Sequence, residues 1–380
     1  MRWAGVYPAA VLPREFTGPG AARTMDGNVS HPERPMEAYN ITVVGASGIV
    51  GQEFLKILDE RQVPVGRLRL LATARSAGKT VAFRGADIVI EETTPASFTP
   101  DDHIVFLSAS GAASKQYAPI AAANGSFVID DSSAFRMDPA VPLVIPEINP
   151  DDLEWHRGIV SQPNCTTTPM VLALAPIHRV NPLRRVIVST YQAVAGAGAA
   201  AVDGLRRETE AALAGRREPS GTQKRDIAFN AVPQIDVFAD DGYTKEELKM
   251  ANETRKILHA PDVGVSATCV RIPTFFGHAM SVWAEFERPV AVDEARALMA
   301  GAPGVELMDD PAAEQYPTPM DVAGTDRVLV GRLRPDHSKP GAITFWTVTD
   351  SIRKGAATNV VQIIEEAARR GLIRPRAGVR

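Results

Sequence analysis

The chain has 380 residues, of which 45% are hydrophobic and 23% charged, with a formal net charge of -4. These proportions are typical of a globular protein, and the length suits more than one domain. The net charge gives no sign of nucleic-acid binding, no apolar run is long enough for a membrane span, and the seven histidines show no metal-ligand spacing. The only cysteines, Cys165 and Cys269, cannot form a disulfide framework and favour a reducing compartment, the cytoplasm.

Residues 1–36 differ from the rest because proline and glycine recur there without hydrophobic periodicity. The segment lacks the apolar core of a secretory signal. We predict a disordered N-terminal extension. Met25 and Met36 are alternative start sites, and a short targeting arm is the less favoured reading.

A strand, a glycine-rich turn and a helix open the folded part. Residues 40–44 predict a buried strand and residues 52–58 an amphipathic helix. Between them, Gly45, Gly48 and Gly51 have the spacing of a dinucleotide fingerprint in the context that it requires. Gly45 would allow the tight turn, Gly48 the approach of a pyrophosphate and Gly51 close helix packing. A glycine turn without a ligand is the alternative.

The second strand, at residues 68–72, differs from the strand of an NAD enzyme at its end. Enzymes that bind NAD place an acid there to hold the ribose 2′-hydroxyl. This chain has Arg75 and Ser76 instead, which suit a 2′-phosphate. The sequence therefore predicts NADP rather than NAD, with a solvated basic loop as the alternative.

Further strands and helices alternate up to the middle of the chain. Strands are predicted at residues 87–90, 103–108 and 126–130, with a helix at 113–123. This alternation predicts a Rossmann-type, doubly wound parallel sheet with ligands at the carboxyl ends of its strands. Arg136 follows the last of these strands and is well placed to bind an anion.

Cys165 lies in a polar turn directly before an apolar run that reads as a helix. Thr168 is predicted as its N-cap and Pro169 as its first residue. Cys165 would then lie at the positive end of a helix dipole, which favours the thiolate, beside backbone N–H groups that could hold an oxyanion. We predict a nucleophile, and a buried structural cysteine is the alternative.

The second half of the chain loses the regular alternation of strands and helices. A strand at 185–194 leads into a second glycine turn, and residues 215–242 are predicted to be irregular. Thr244 and Glu247 have the spacing of a capping box. Later strands and a last helix are predicted at residues 265–273, 280–286, 327–332, 343–348 and 355–369. These strands fit a mixed or antiparallel sheet.

Several charged residues in this half have both a functional and an ordinary interpretation. Arg271 and His278 flank a tight apolar loop, where burial of Arg271 would require a ligand or an acidic partner. A structural histidine is the ordinary interpretation of His278, and a surface ion pair is that of Glu246 with Lys249. A nicotinamide cofactor combined with a reactive cysteine suggests oxidation or reduction of an aldehyde through a thioester.

Several distinctive motifs occur in a fixed order between about residue 38 and residue 372. They are residues 45–51, 71–79, 130–136, 163–167 and 191–194, the pair Arg271 and His278, and residues 354–359. In combination they resemble the aspartate-semialdehyde dehydrogenase family. The resemblance implies NADPH-dependent reductive dephosphorylation of L-aspartyl 4-phosphate to L-aspartate 4-semialdehyde, which feeds lysine, diaminopimelate, methionine and threonine synthesis.

The resemblance also implies a role for individual residues. Cys165 would be the nucleophile, His278 the acid–base residue and Gln192 the residue that orients the intermediate. The substrate would be bound by Arg271 at its α-carboxylate, Glu246 at its amine, Arg136 and Lys249 at its phosphate, and also Asn164. The implied cofactor contacts are Gly45, Ser47, Gly48, Ile49, Val50, Arg75, Ser76, Gly196 and Asn359.

The domain organisation follows from the motifs and the resemblance together. An NADP-binding Rossmann-type domain is expected at residues 37–164, joined by the helix at 355–372. A second α+β catalytic and dimerisation domain with a mixed sheet is expected at residues 165–354. The resemblance implies a homodimer or homotetramer. The alternatives are an N-acetyl-glutamyl-phosphate reductase and an inactive NADP-binding relative, and the choice of Glu246 over Glu247 rests on the capping role of Glu247.

Overall fold

A computed structural model describes residues 36–221 and 224–373. The predicted disordered extension falls almost entirely outside the described residues. Its last residue, Met36, is described and packs partly buried against the core of the first sheet. Among the described residues, no helix combines the length and apolar character needed to cross a bilayer.

Seven strands form the first sheet. They are Tyr39–Val44 (β1), Val65–Ala72 (β2), Thr80–Phe83 (β3), Ala86–Glu92 (β4), Ile104–Leu107 (β5), Phe127–Asp130 (β6) and Ile159–Ser161 (β7). Their order is β3-β4-β2-β1-β5-β6-β7, and every neighbouring pair is parallel except β3 with β4. The sequence order reverses at β1, which creates the crevice where such sheets bind ligands. The predicted Rossmann-type sheet is confirmed, with an antiparallel edge strand that was not predicted.

Six strands form the second sheet. They are Leu183–Gln192 (β8), Gly264–Arg271 (β9), His278–Phe286 (β10), Val305–Leu307 (β11), Val328–Pro335 (β12) and Ile343–Thr349 (β13). Their order is β11-β12-β13-β10-β8-β9. Strands β8 and β9 are parallel, as are β11 and β12, whereas the other pairs are antiparallel. The prediction of a second domain with a mixed sheet is therefore confirmed.

Eight helices accompany the sheets in the part of the chain that the structure describes. They are Ile49–Glu60 (α1), Gly111–Ala123 (α2), Thr167–His178 (α3), Ala199–Leu213 (α4), Lys245–Ile257 (α5), Val292–Ala300 (α6), Pro319–Val322 (α7) and Thr358–Arg369 (α8). The last helix begins three residues later than predicted because a π-helical turn, Arg353–Ala357, precedes it. Strand β8 ends two residues early because a 3-10 turn, Val194–Ala197, follows closely.

Two large hydrophobic cores fix the position of the catalytic segments. Helix α3 is apolar on all sides, and its side chains form the centre of the core beside the second sheet. Helix α8 packs with α1 in the core of the first sheet. The turn that carries Asn164 and Cys165 runs from the edge of the first sheet straight into α3. The domain boundary that we place between these two residues stays a prediction.

A smaller core joins the glycine-rich turn to the second half of the chain. Ile49 and Val50, at the start of α1, pack against a cluster that contains Val194, Ala195 and Phe276. The start of the cofactor helix therefore lies beside the segment that follows β8. This packing brings the cofactor edge and the residues of the second domain to one cleft.

Candidate active site

Asn164 builds the turn that holds Cys165. Its side-chain oxygen accepts hydrogen bonds from the Thr166 N–H (2.9 Å) and the Thr166 hydroxyl (2.5 Å). Its carbonyl accepts from the N–H and the hydroxyl of Thr168. Helix α3 begins at Thr167 with Thr166 at its N-cap position, so the prediction of Thr168 as N-cap is wrong. An asparagine side chain reaches two residues forward and satisfies the turn in place of a threonine cap.

Glu246 lies at the centre of the buried polar cluster. Its Oε1 accepts hydrogen bonds from Asn164 Nδ2 (3.0 Å) and Gln192 Nε2 (3.2 Å), and its Oε2 accepts from Lys249 Nζ (3.0 Å). Burial by itself raises the pKa of this carboxyl, but Lys249, Asn164 and Gln192 together lower the pKa below its usual value. Glu246 is thus an anion whose partners come from three separate segments of the chain.

Glu247 faces away from this cluster. Its Oε2 accepts the Thr244 N–H and its N–H donates to the Thr244 hydroxyl, so the predicted capping box is confirmed. Its Oε1 accepts the N–H of Cys269 (2.9 Å), a residue buried in the core. The geometry therefore leaves Glu246, and not Glu247, beside Asn164 and Gln192.

Arg271 and His278 are both held by the backbone of Ala193. The Arg271 Nη1 donates to the Ala193 carbonyl (2.7 Å), and the His278 Nδ1 accepts from the Ala193 N–H (3.1 Å). Because Nδ1 accepts, the neutral ring carries its proton on Nε2. Burial and the charge of Arg271 lower the pKa of His278 to about 3, so the imidazole is neutral near pH 7.

The Nε2 of His278 points to a place where the chain carries no side chain. This atom is buried and has no hydrogen-bond partner within residues 36–221 and 224–373. A Cβ atom built on Gly196 would lie 3.1 Å from it and 3.5 Å from Arg271 Nη1. The absence of a side chain at Gly196 therefore keeps the space beside both residues open, and an orphaned buried N–H marks a place for a ligand.

Arg136 approaches Cys165 from the first domain. Its Nη1 donates to Glu253 Oε1 (3.0 Å) and its Nη2 to the Asp131 carbonyl (2.8 Å). Its Nε is buried and unpartnered among the described residues. Burial lowers the pKa of Arg136, but Glu253 and Asp131 outweigh it and raise the pKa overall. The buried guanidinium is therefore a permanent cation.

Glu253 belongs to the site although the sequence did not single it out. Besides Arg136, it accepts the Asn164 N–H at 2.7 Å through its Oε2. It lies seven residues after Glu246 on α5, which places both carboxylates on one face of that helix. This spacing was the available signal, but nothing in the sequence shows which face of α5 meets the cysteine turn.

The electrostatics of Cys165 contradict the expectation of a thiolate. Burial, together with the charge of Glu246, raises the pKa of the thiol to about 12, and the opposing charges of Arg271 and Arg136 do not reverse this effect. The N-terminus of α3 is present as predicted, yet desolvation of the partly buried Cys165 is the larger effect. In this structure Cys165 is therefore a neutral thiol, and His278 a neutral imidazole.

The glycine-rich turn has a geometry that few residues other than glycine could adopt. Gly45 has φ of +84°, and a Cβ atom there would lie 2.0 Å from the Ser108 carbonyl oxygen. A Cβ atom on Gly51 would lie 2.5 Å from the Gly45 oxygen, and one on Gly48, the N-cap of α1, 3.1 Å from it. The start of α1 thus presents backbone that a phosphate can approach closely.

The loop after β2 lies against this turn. The Ser47 hydroxyl donates to the Ser76 hydroxyl (3.1 Å), while the neighbouring Arg75 is exposed. The structure therefore brings Ser47, Gly48, Arg75 and Ser76 to one edge of the first sheet. Charge and hydrogen-bond donors at this edge suit a dinucleotide phosphate.

Asn359 does not share that edge. Its amide nitrogen donates to the Val144 carbonyl (3.0 Å) and to Gln162 Oε1 (2.5 Å), and its oxygen accepts from Lys354 Nζ (3.2 Å). All three bonds hold it in a buried network below the cysteine turn. The turn before α8 approaches the site instead through Gly355, where a Cβ atom would lie 3.1 Å from Cys165 Cβ.

The predicted catalytic and substrate residues thus form one connected cluster, with the glycine-rich turn beside it. Among the described residues, no group of three or more His, Cys, Asp or Glu side chains could hold a metal ion.

A Rossmann-type sheet and a mixed sheet that meet at a cysteine turn define a two-domain dehydrogenase. Two family models match this division: semialdehyde dehydrogenase, NAD binding domain, over residues 40–156, and semialdehyde dehydrogenase, dimerisation domain, over residues 174–354. The chain therefore has a nicotinamide-cofactor domain.

Individual relatives narrow the family further. The chain is 48% identical over 338 residues to the aspartate-semialdehyde dehydrogenase of Aquifex aeolicus, covering 88% of this chain and 99% of the relative. It is 47% identical to the Bacillus subtilis enzyme of the same name, covering 88% of this chain and 99% of that one. The crystal structure of Vibrio cholerae aspartate semialdehyde dehydrogenase II complexed with ASA matches with a TM-score of 0.85 and 43% identity, over 88% of this chain and 99% of that chain. The chain belongs to the aspartate-semialdehyde dehydrogenase family, an oxidoreductase family.

Proposed function

We propose that the protein catalyses the reversible, NADPH-dependent reductive dephosphorylation of L-aspartyl 4-phosphate to L-aspartate 4-semialdehyde through a thioester on Cys165. The observation that carries this proposal is the cluster around Glu246, which joins Asn164 of the cysteine turn to Gln192 and Lys249. Cations for a carboxylate and a phosphate, and an anion for an amine, surround one sulfur. That charge pattern matches the three ionic groups of aspartyl phosphate.

Each ionic group of the substrate has a complementary side chain. Arg271 would bind the α-carboxylate, since a guanidinium suits a planar, two-oxygen anion. Glu246 would bind the α-amino group in place of its bonds to Asn164 and Gln192. Arg136 and Lys249 would bind the phosphate, for which the unpartnered Nε of Arg136 supports the first assignment.

The proposed chemistry balances without further reactants. Cys165 Sγ attacks the acyl carbon, the carbon–oxygen bond to the phosphate breaks, and the thiol proton leaves with hydrogen phosphate, which gives a thioester. His278 would exchange protons through Nε2, and Gln192 would orient the acyl oxygen. When bound at the glycine-rich turn, the nicotinamide cofactor would supply a hydride to the thioester carbon. The carbon–sulfur bond then breaks to release the aldehyde, and Cys165 takes up one proton from solvent by way of His278, which restores the thiol.

The preference for NADP over NAD is part of the same proposal. Arg75 is exposed beside Ser76, at the end of β2 where a ribose 2′-substituent lies in such folds. Gly45, Ser47, Gly48, Ile49 and Val50 would contact the cofactor at the turn and Gly196 near the nicotinamide. Asn359 is a weaker candidate because its amide is engaged within the protein.

We also propose a homodimer, or a tetramer built from it, in the cytoplasm, acting in lysine, diaminopimelate, methionine and threonine synthesis. The outer face of the second sheet supports the dimer. Ile187 is 47% exposed there, and Tyr191 packs at 5.2 Å against the ring of Trp346. Apolar residues on an otherwise solvated sheet face are typical of an interface, and Cys165 and Cys269 are free thiols, which suits a reducing compartment.

A phosphate-dependent oxidation assay tests the proposal against its rival. Wild-type protein is expected to oxidise aspartate semialdehyde with NADP and phosphate, whereas N-acetyl-glutamate semialdehyde, which lacks a charged amine for Glu246, is expected to react poorly. Cys165→Ala is expected to lose activity by at least about 10⁴-fold, because no other group forms the thioester. Unchanged turnover in Cys165→Ala, or turnover of the acetylated aldehyde alone, would contradict the proposal.

A further inference from the structure

Glu253, on α5, bridges two parts of the site that are far apart in the chain. It is 1% exposed and uses both carboxylate oxygens, one for the guanidinium of Arg136 and one for the backbone N–H of Asn164. Arg136 lies in the segment between β6 and β7 of the first sheet, whereas Asn164 immediately precedes the nucleophile. One side chain on α5 is therefore bonded both to the proposed phosphate-binding residue and to the cysteine turn.

The bond from Glu253 restricts the orientation of Arg136. Two of the guanidinium nitrogens are held, by Glu253 and by the Asp131 carbonyl, which leaves Nε as the buried donor without a partner among the described residues. Helix α5 also fixes the backbone of this loop, because Lys256 Nζ donates to the carbonyls of Arg136, Asp138 and Val141 at 2.7 Å each. A guanidinium held in this way presents one defined edge to an anion.

The second bond of Glu253 restricts the nucleophile. The Asn164 N–H is held at 2.7 Å by a charged acceptor, and charge-assisted hydrogen bonds of this kind are stronger than neutral ones. Asn164 is held a second time through its side chain, by Glu246. Because Cys165 is the next residue, the carboxylate of Glu253 couples the position of the cysteine turn directly to that of Arg136.

We infer that Glu253 is a positioning residue that sets the distance between the phosphate-binding arginine and the Cys165 nucleophile. It touches neither the substrate nor the cofactor, and it acts through Arg136 and Asn164. This inference rests on the proposed function, since it assumes that Arg136 binds the phosphate and that Cys165 attacks the acyl group.

The test is steady-state kinetics of Glu253→Gln in the oxidative direction, with aspartate semialdehyde, phosphate and NADP varied in turn. The amide has nearly the same shape but no charge, so the hydrogen bonds to Arg136 and to the Asn164 N–H are expected to weaken. The KM for phosphate is expected to rise about tenfold and kcat to fall about tenfold, while the KM for aspartate semialdehyde stays within about twofold. A substitution that merely destabilised the fold would not raise the phosphate KM selectively.

Glu247→Gln is the matched control. Glu247 is buried on the same helix, but it bonds Thr244 and Cys269 rather than Arg136 or Asn164. It is expected to lower the melting temperature and to leave the phosphate KM within about twofold of wild type. Adding Glu253→Gln to Arg136→Gln is expected to cause no further rise in the phosphate KM, because the two residues act on phosphate through one contact. If Glu253→Gln does not fold, Glu253→Asp takes its place, with the same selective rise expected.

The outcomes separate this inference from the proposed function. A wild-type protein that fails to oxidise aspartate semialdehyde with phosphate overturns the proposed function. A wild-type protein that succeeds, together with a phosphate KM in Glu253→Gln changed by less than about twofold, overturns the role of Glu253 alone. An equal rise in Glu247→Gln overturns it as well.

Discussion

The two halves of the cleft are built in different ways. The cofactor edge consists of one short segment, residues 45–51, with Arg75 and Ser76 beside it, and its shape is dictated by glycine geometry. The catalytic cluster is assembled from side chains that lie between positions 136 and 278 and is held by buried charges. A local site of this kind depends on backbone conformation, whereas an assembled one depends on the dielectric environment and on long-range packing. The properties of an assembled site are therefore harder to predict from a sequence.

The largest expected effect concerns the buried environment of Cys165. Because the pKa of the folded thiol lies near 12 rather than at its usual 9.0, the thiolate fraction at pH 8 is expected to be about a thousandfold below that of an ordinary thiol. The alkylation rate of the substrate-free enzyme with iodoacetamide is therefore expected to rise about tenfold per pH unit from pH 7 to pH 10 without a plateau.

Two variants calibrate this measurement. Cys165→Ala gives the background from the buried Cys269. Glu246→Gln is expected to speed alkylation at each pH, because Glu246 raises the pKa of the thiol. A plateau below pH 9 in the wild type would mean that the helix dipole outweighs burial, as the sequence suggested.

This contrast also explains what could be predicted. The strand–turn–helix at residues 40–58 and the capping box of Thr244 could be predicted, because both depend on residues that are close together in the sequence. The spatial arrangement of the charged side chains around Cys165 could not be predicted from the sequence. The role of Glu253 depends on which face of α5 meets residue 164. The raised pKa of Cys165 depends on how strongly the folded cleft desolvates the thiol and on the nearby charge of Glu246.

Short elements were missed for a related reason. The three-residue strands β7 and β11 carry too few residues to show an alternation, and they exist because a neighbouring strand edge is available to pair with. Likewise, Thr168 had the residue type of an N-cap, but Asn164 satisfies the turn first. In each case a tertiary or competing local contact decides between options that the sequence leaves open.

The next effect tests the local character of the cofactor edge. Gly45→Ala is expected to reduce the free energy of unfolding by about 3 kcal/mol or more, because it adds a strained positive φ and a Cβ atom 2.0 Å from a carbonyl oxygen. Denaturant unfolding measures this change. Gly78→Ala is the matched control, since Gly78 has φ of +82° with open space around it. Gly78→Ala is expected to reduce the free energy of unfolding by about 1 kcal/mol. An equal reduction in the two variants would show that the close carbonyl oxygen at Gly45 does not matter.

The smallest expected effect asks whether the cofactor edge discriminates by charge. Arg75 is exposed, so its attraction to a 2′-phosphate is screened by water and salt, and Arg75→Ala is expected to raise the KM for NADPH about tenfold. The KM for NADH, which lacks that phosphate, is expected to stay within about twofold. Lys79→Ala removes an equal charge from the same exposed loop and should leave both KM values nearly unchanged.

An equal rise in the KM for both cofactors in Arg75→Ala would indicate that Arg75 contacts a part of the dinucleotide that NADPH and NADH share. An equal rise in the KM for NADPH in Lys79→Ala would instead indicate that Arg75 acts only by general electrostatic attraction. A selective loss in Arg75→Ala that shrinks as ionic strength rises would show that this half of the cleft discriminates by one exposed charge, where the other half relies on buried ones.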